Sequence, residues 1–336
     1  MSPGPQPVLR RLLLVSLPLL LALLTASFLG LGFGVTGSGL RAIWEALLAL
    51  DSANLVQQTI VWRIRLPRVL MAAEVGATLS LGGLVFQALL RNPLAEPYIL
   101  GISGGSAVGA ISGILLGLSR FPGVSATAFA GSMATLALVV VLSSGRQILK
   151  KDTLLLAGVM VNAFCSAMIL FLISLTQDSR LHNIIFWLMG DLSLTDMGQV
   201  RLLALLLAPC FLLAFLLSHA MNLLLMGKET AMALGVNIKL VTMTLLVATS
   251  FMISATVAQC GLLGFVGLVM PHLLRLLLGP DHRILVPACI LGGATYMVGC
   301  DLLARIVPRH GELPVGVITA MIGAPLFIFL LRRSGR

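Results

Sequence analysis

The stretch WRIRLPR, residues 62–68, sets Arg63, Arg65 and Arg68 within six positions of one another, directly before a long apolar run. A lone arginine at the end of an apolar helix lays its stem along the helix and lifts its guanidinium into water. Three together point to an acidic partner, and on the sequence alone both readings stand: snorkelling side chains or a docking patch. Glu74 follows Arg68 by six residues, roughly 9 Å further along a helix. An ionisable group that deep either faces a cavity or pathway or reaches back to pair with Arg68 or another arginine.

A second group lies in RNPLAEPYILGISGGSAVGA, residues 91–110, which carries two prolines, an asparagine, a glutamate and four glycines inside an apolar chain. Its first part, RNPLAEP, reads as a break that ends one helix, with Asn92, Pro93 and Leu94 in irregular backbone. At membrane depth such backbone is tolerated only where protein shields it or it lines a water-filled path. From there Gly101, Gly105, Gly109, Gly113 and Gly117 recur every fourth residue. On a helix they share one face, and glycines on one face let another backbone approach to contact. That face serves packing within the chain, or it slides during gating or meets a second subunit.

Further on, MGKETAMALGVNIK, residues 226–239, reads as short helix, turn, helix, with Glu229, Ala231, Leu234 and Gly235 in the spacing E-x-A-x-x-L-G. It is a plain connector or an insert for a cleft on another protein. His272, beside Pro271 in GFVGLVMPHLLR, has no second His or Cys at ligand spacing, so no metal site is expected. GFGVTG, residues 32–37, matches GxGxxG but follows an apolar span where a dinucleotide site needs a strand. No GxxxxGK[ST] occurs, so the chain carries no nucleotide loop of its own. No catalytic residue and no bound cofactor are expected.

The elements that must position these groups are membrane helices. Of 336 residues, 58% are hydrophobic and 10% charged, and the mean hydropathy is +1.06, a balance outside soluble globular proteins. With about 20 apolar residues needed to cross a bilayer, ten spans are expected, near 11–33, 68–90, 97–118, 122–143, 153–175, 199–219, 239–258, 262–278, 284–303 and 312–332, in one transmembrane domain over residues 1–336. The first is too long for a signal-peptide core and reads as a retained span. Sorting loops alternately puts 13 basic residues, with every lysine, on one side and 9 on the other. By the positive-inside rule the first side, with both termini, is cytoplasmic. The net charge of +10 is then a topological signal and implies no nucleic acid. The five cysteines fall in or beside spans without a CxxC pair and read as small apolar residues. PYILG at 97–101 echoes PACILG at 287–292; if spans two to five repeat as seven to ten, the halves are inverted repeats, a transporter pattern.

Taken in order, RLPR at 65–68, NPLAEP at 92–97, LLLAGV at 154–159, E-x-A-x-x-LG at 229–235, GFVGLVMPHLLR at 264–275, DHR at 281–283 and ELPVGVITAMIGAPLFIFLL at 312–331 resemble the FecCD family of permeases, the membrane subunits of importers for iron-siderophores, haem and cobalamin. The resemblance runs from about residue 60 to the C-terminus. It implies an all-α, ten-span permease of the type II ABC importer kind in a bacterial or archaeal cytoplasmic membrane. It further implies a homodimer with two ATP-binding subunits on the cytoplasmic face, which hold the ATP and magnesium, and a substrate-binding protein outside. By the same resemblance Arg65, Arg68 and Arg305 face acids of the binding protein, Asn92 and Leu94 belong to a cytoplasmic gate, and Glu229, Ala231, Leu234 and Gly235 to the segment seated in the ATPase. Iron-siderophore is the cargo the family puts first, with cobalamin and haem as alternatives. KKDT at 150–153 departs from the small hydroxyl residues of the cobalamin relative, and the family gives Glu74 no role. An ion-coupled secondary transporter with Glu74 as its proton site is the competing class.

Overall fold

The computed structural model describes residues 8–34, 55–143, 151–308 and 311–334, and every regular element among them is helical. In chain order these are α1 (Val8–Gly32), α2 (Leu66–Leu90), α3 (Ile102–Leu115), α4 (Ser125–Ser143), α5 (Lys151–Ser174), α6 (Asp178–Leu188), α7 (Met197–Leu216), α8 (Ser218–Met226), α9 (Lys228–Ala233), α10 (Ile238–Cys260), α11 (Val266–Leu278), α12 (His282–Ile306) and α13 (Val315–Ser334). A helical lead-in with a π-wound turn over Ile60–Arg65 runs into α2. Among the described residues seven helices are long and apolar enough to cross a membrane, and α3, α11 and Val315–Leu330 of α13 are shorter apolar helices. Of the basic residues counted in sorting the loops, Arg41, Arg146, Lys150, Arg309 and Arg336 lie outside the described residues.

Local chemistry sets the boundaries. At the end of α2, Arg91 takes a left-handed φ of 49° and Pro93 follows, so the helix cannot continue. At the start of α7, Asp196 and Gln199 form a reciprocal capping box. Asn237 caps α10 by accepting from the Leu240 amide at 3.0 Å, and Asp281 caps α12 by accepting from that of Arg283 at 3.0 Å.

Packing centres on α2, buried almost continuously from Val75 to Leu90. A Cβ on Gly76 would lie 2.2 Å from the Gly293 carbonyl oxygen, and one on Gly293 2.4 Å from that of Gly76, so α2 and α12 touch backbone to backbone. Gly83 makes the same approach to α11, where a Cβ would fall 1.7 Å from the Gly267 carbonyl. Without a hydrophobic force between helices in lipid, such close contact is what holds a bundle together. The outward faces of α1 (Leu13, Leu17, Leu21) and α5 (Leu156, Met160, Phe164, Phe171) stay exposed and apolar, as a bilayer or a second subunit requires.

Three expectations differ from the structure. The third and eighth spans are helical only over Ile102–Leu115 and Val266–Leu278, because irregular stretches at 91–101 and 261–265 precede them. Residues 178–188, placed in a loop, form α6, too short for an apolar-run criterion. The PYILG run at 97–101 is a series of turns, whereas 287–292 lies inside α12, so that echo has no common backbone form.

Candidate functional site

Two clusters and one exposed segment are disposed along α2. At its Arg68 end, the guanidiniums expected to face outward are interior: Arg65, Arg68 and Arg305 are each 4% exposed. The Arg68 Nε donates to Asp301 Oδ1 at 2.8 Å and its Nη1 to Glu312 Oε2 at 2.5 Å. Asp301, fully buried, also meets Arg305 Nη2 at 3.1 Å, an ion-pair contact without hydrogen-bond alignment. Arg305 Nη1 donates to the carbonyls of Gly30 at 2.9 Å and Phe33 at 3.3 Å. Arg65 Nη1 donates to those of Leu31 at 2.7 Å and Gly32 at 3.0 Å. The last carbonyls of α1 have no partners within the helix, and two arginines satisfy them with charge of the favourable sign. The three arginines therefore knit α1, α2 and α12, and their guanidiniums are largely engaged within the chain. On the same lead-in Arg63 is the exposed arginine.

Glu74 sits inward of this cluster, half-buried, and its Oε2 is shielded without a hydrogen-bond partner. Arg68 takes its carboxylates from Asp301 and Glu312, so the alternative of a Glu74–Arg68 pair drops out.

The second cluster is built from the two breaks. Asn92 Oδ1 accepts from the Leu94 amide at 2.9 Å and the Asn92 carbonyl from that of Ala95 at 3.1 Å, folding RNPLAEP into turns. Pro93 and Leu94 are exposed, while Ala95 and Leu100 are fully buried. Tyr98 Oη donates to the Leu263 carbonyl at 3.0 Å and accepts from the Leu263 amide at 3.2 Å, so one hydroxyl serves both polar groups of a residue in the other break. Glu96 Oε1 accepts from the Phe265 amide at 3.3 Å. Phe265 begins α11 at a left-handed φ of 68°, with its ring against Gly323 of α13. The thirteen residues of α11 span about 20 Å, so Leu263 and Tyr98 lie well inside the bundle. Irregular backbone there is held by protein partners, as membrane depth demands.

The glycine series divides. Gly105, Gly109 and Gly113 contact α4, where a Cβ would come within 2.3 Å of Thr135 Oγ1, 2.1 Å of the Thr127 carbonyl and 2.4 Å of Thr127 Oγ1 respectively. Gly101 caps α3 at φ 76° beside Val161 of α5, and Gly117, past the end of α3 at φ 74°, lies beside Arg180, whose Nη2 a Cβ would meet at 3.9 Å. Gly101 and Gly117 thus shape the ends of α3, and the packing face is the three between them. Near Gly117 a cavity of about 410 Å³ is lined by Arg120, Arg180, Trp187 and Asp191. Burial pushes the Asp191 carboxyl up, but the Ser193 amide and hydroxyl, with the Arg120 guanidinium 3.0 Å away, hold it below the usual range.

The segment at the Arg91 end is α8 and α9, joined through Gly227 at φ 126°. Glu229, Leu234 and Gly235 are exposed and Ala231 is fully buried. Met226, Met232 and Leu234 are 67%, 56% and 60% exposed. These apolar groups are bared outside the candidate spans. Of KKDT, Lys150 lies outside the described residues, and Asp152 and Thr153 are exposed at the start of α5. Asp301, Glu312, Tyr98 and Phe265 escaped the sequence reading. Of these, only the Asp301–Arg305 pair at i,i+4 carried a local signal.

Residues 20–333 match the model of the FecCD transport family. The vitamin B12 import system permease protein BtuC of Klebsiella pneumoniae subsp. pneumoniae is 43% identical over 277 residues, 82% of this chain and 83% of that protein. That of Salmonella arizonae is 42% identical over 276 residues, 82% and 84% of the two chains. Among solved structures, the inward-facing conformation of a protein described as a metal-chelate type ABC transporter superposes with a TM-score of 0.84 at 33% identity, over 95% of this chain and 99% of that one. PsaBC from Streptococcus pneumoniae, solved with a Fab, shares the fold at a TM-score of 0.58 and 18% identity, over 83% of this chain and 95% of that chain.

Proposed function

The chain belongs to the FecCD transport family, and on that premise we propose that it is the membrane-spanning permease subunit of an ATP-driven importer for a metal chelate. The observation that carries the proposal is the likeness, across 82% of the chain, to permeases of vitamin B12 import. It is supported by the exposed α8–α9 segment and by a sequence without a nucleotide loop, which together call for ATPase subunits as partners. In this reading the seven long helices and the three shorter ones serve as ten spans with both termini cytoplasmic, and an inverted relation of the halves rests on that span count, not on the PYILG echo. The α9 end then faces the cytoplasm and the Arg68 end faces outward.

In this reading two copies pair through the exposed apolar faces of α5 and of α13, where Met321, Ile328 and Phe329 are exposed, and the chelate crosses between them by alternating access. Asn92, Pro93 and Leu94 form a cytoplasmic gate, since they bare polar and apolar groups beside the two joined breaks. Glu229, Ala231, Leu234 and Gly235 seat in the ATPase. A binding protein docks outside on Arg65, Arg68 and Arg305, beside the exposed Arg63, with a partner's carboxylate displacing acceptors such as Glu312, whose side chain is 35% exposed. Among cargoes, the family resemblance alone puts iron-siderophore first, whereas the relatives' names favour cobalamin, with haem as a further alternative. Ligand binding by the partner binding protein encoded with this gene separates them. Saturable binding of cyanocobalamin or of a ferric siderophore names the cargo, and exclusive binding of a metal-free solute refutes the chelate class.

A second reading, an ion-coupled transporter, is favoured by the shielded, unpartnered oxygen of Glu74. It requires uptake without an ATPase.

A further inference from the structure

The α8 helix, which leads into the exposed α9 segment, is fastened to α12 by side chains that neither the break nor the α9 motif contains. Asn222 donates from Nδ2 to Asp281 Oδ1 at 2.7 Å. Its Oδ1 accepts from the His282 backbone amide at 2.8 Å and lies 2.8 Å from His282 Nδ1. A carboxylate can only accept, so the Asn222 amide is oriented with its nitrogen toward Asp281. Its oxygen in turn obliges His282 Nδ1 to be a donor. Both acceptor directions of the Asn222 oxygen and one of its two amide hydrogens are thereby engaged with the cap and first turn of α12. Two residues further along α8, the Leu224 carbonyl accepts from Arg91 Nη2, and Arg91 immediately precedes Asn92, Pro93 and Leu94.

From α8 two paths diverge. One passes through Arg91 to the break. The other passes through Asn222 to α12, which lies backbone to backbone on α2 at Gly76–Gly293 and carries Asp301 and Arg305 at its far end. The ring is a rigid joint: His282 is fully buried, and Asp281 stays ionised because hydrogen bonds from Arg283, and after them from Asn222, bring its carboxyl down to about 2. We propose that Asn222 is the positioning residue that transmits movement of the α9 segment to α12, so that the Asn222–Asp281–His282 ring links the ATPase-facing segment to the far end of the bundle. This rests on the importer reading above.

The test uses the assembled transporter, this chain with its ATPase and binding-protein partners, in proteoliposomes, with uptake and ATP hydrolysis measured on the same vesicles. Asn222→Leu keeps the volume and removes all three hydrogen bonds. It is expected to retain the ATPase subunits and hydrolysis within about twofold of wild type, while uptake per ATP falls by roughly tenfold or more. Asn222→Asp sets a second carboxylate against Asp281 and is expected to fail in the same way. Combining Asn222→Asp with Asp281→Asn restores one donor facing one acceptor, keeps a good helix cap, and is expected to recover uptake. That exchange decides the matter even where Asn222→Leu does not assemble. Unchanged uptake per ATP in Asn222→Leu, a proportional loss of hydrolysis and uptake, or an exchanged pair no better than Asn222→Asp alone overturns the proposal. Failure of the wild-type chain to retain any ATP-binding subunit is a separate result that refutes the importer reading itself.

Discussion

Replacing Asp301 by asparagine separates a structural arginine cluster from a docking patch. The Asp301 carboxylate is fully buried, 2.8 Å from Arg68 Nε and 3.1 Å from Arg305 Nη2. It is the one acid shared by two buried guanidiniums. An amide of the same shape fills the space but leaves those cations facing each other with only Glu312 near Arg68. Removing one partner of a buried ion pair costs about 3–5 kcal/mol, because an uncompensated charge stays behind. At about 1.4 kcal/mol per tenfold, the ratio of folded to unfolded protein falls by roughly 10²–10⁴. The companion change Glu312→Gln acts on a side chain that is 35% exposed, where water takes over the charge and the loss is about 0–1 kcal/mol. The assay is unfolding in mixed micelles by titration with SDS, followed by helical circular dichroism, for wild type and both variants. Asp301→Asn is expected to unfold at distinctly lower SDS fraction and Glu312→Gln close to wild type. Equal midpoints for Asp301→Asn and Glu312→Gln would show that the cluster is open to water, and the reasoning from burial would fail.

Five further outcomes follow from the same geometry. Gly83→Ala drives a Cβ to 1.7 Å from a backbone carbonyl and is expected to cost about 3 kcal/mol or more. Gly299→Ala meets nothing within 4 Å and is expected to gain about 0.5–1 kcal/mol; the same SDS titration ranks the two. Tyr98→Phe orphans the amide and carbonyl of Leu263, an expected loss of about 1–3 kcal/mol, read as faster hydrogen exchange at residues 261–265; unchanged exchange contradicts the bridge. Asp281 titrates at about 2 in the folded chain, below its ordinary value of about 3.9. Its contribution is therefore present above about pH 4 and lost as pH falls toward 2, so Asp281→Asn should flatten the stability profile there, and an unaltered profile counts against it. Glu229→Arg, on the exposed α9 surface, is expected to uncouple hydrolysis by the ATPase from uptake; a fully coupled variant removes that role.

Much of the scaffold is legible because membrane helices announce themselves: runs such as Leu12–Gly34 and Met197–Leu216 are long and apolar, and no soluble alternative accommodates them. The first break is legible from Pro93 and Pro97, which carry their conformational effect in their own side chains. The second, at 261–265, is legible only at its start, where Gly261 at a left-handed φ ends α10; Phe265 at a left-handed φ and the hold of Tyr98 from far along the chain carry no local signal. The arginines were visible as a cluster, but the partners they take within the chain were not. Their partners Asp301 and Glu312 lie more than two hundred residues away in sequence, and nothing local to RLPR reports them. Only the fold shows that charges gathered at a helix end face inward when a neighbouring helix, here α1, presents unsatisfied carbonyls to them.

The central claim is that ATP, consumed by partner subunits, drives a chelate through this chain. Its most direct test is uptake into proteoliposomes holding the chain, its ATP-binding subunits and its binding protein, loaded with the chelate which that protein binds. The account predicts uptake that requires ATP inside the compartment where α9 lies and is unchanged when a protonophore collapses the proton gradient. Uptake driven by a proton gradient in vesicles lacking any ATP-binding subunit, and lost in Glu74→Gln, would contradict it and establish the ion-coupled reading instead.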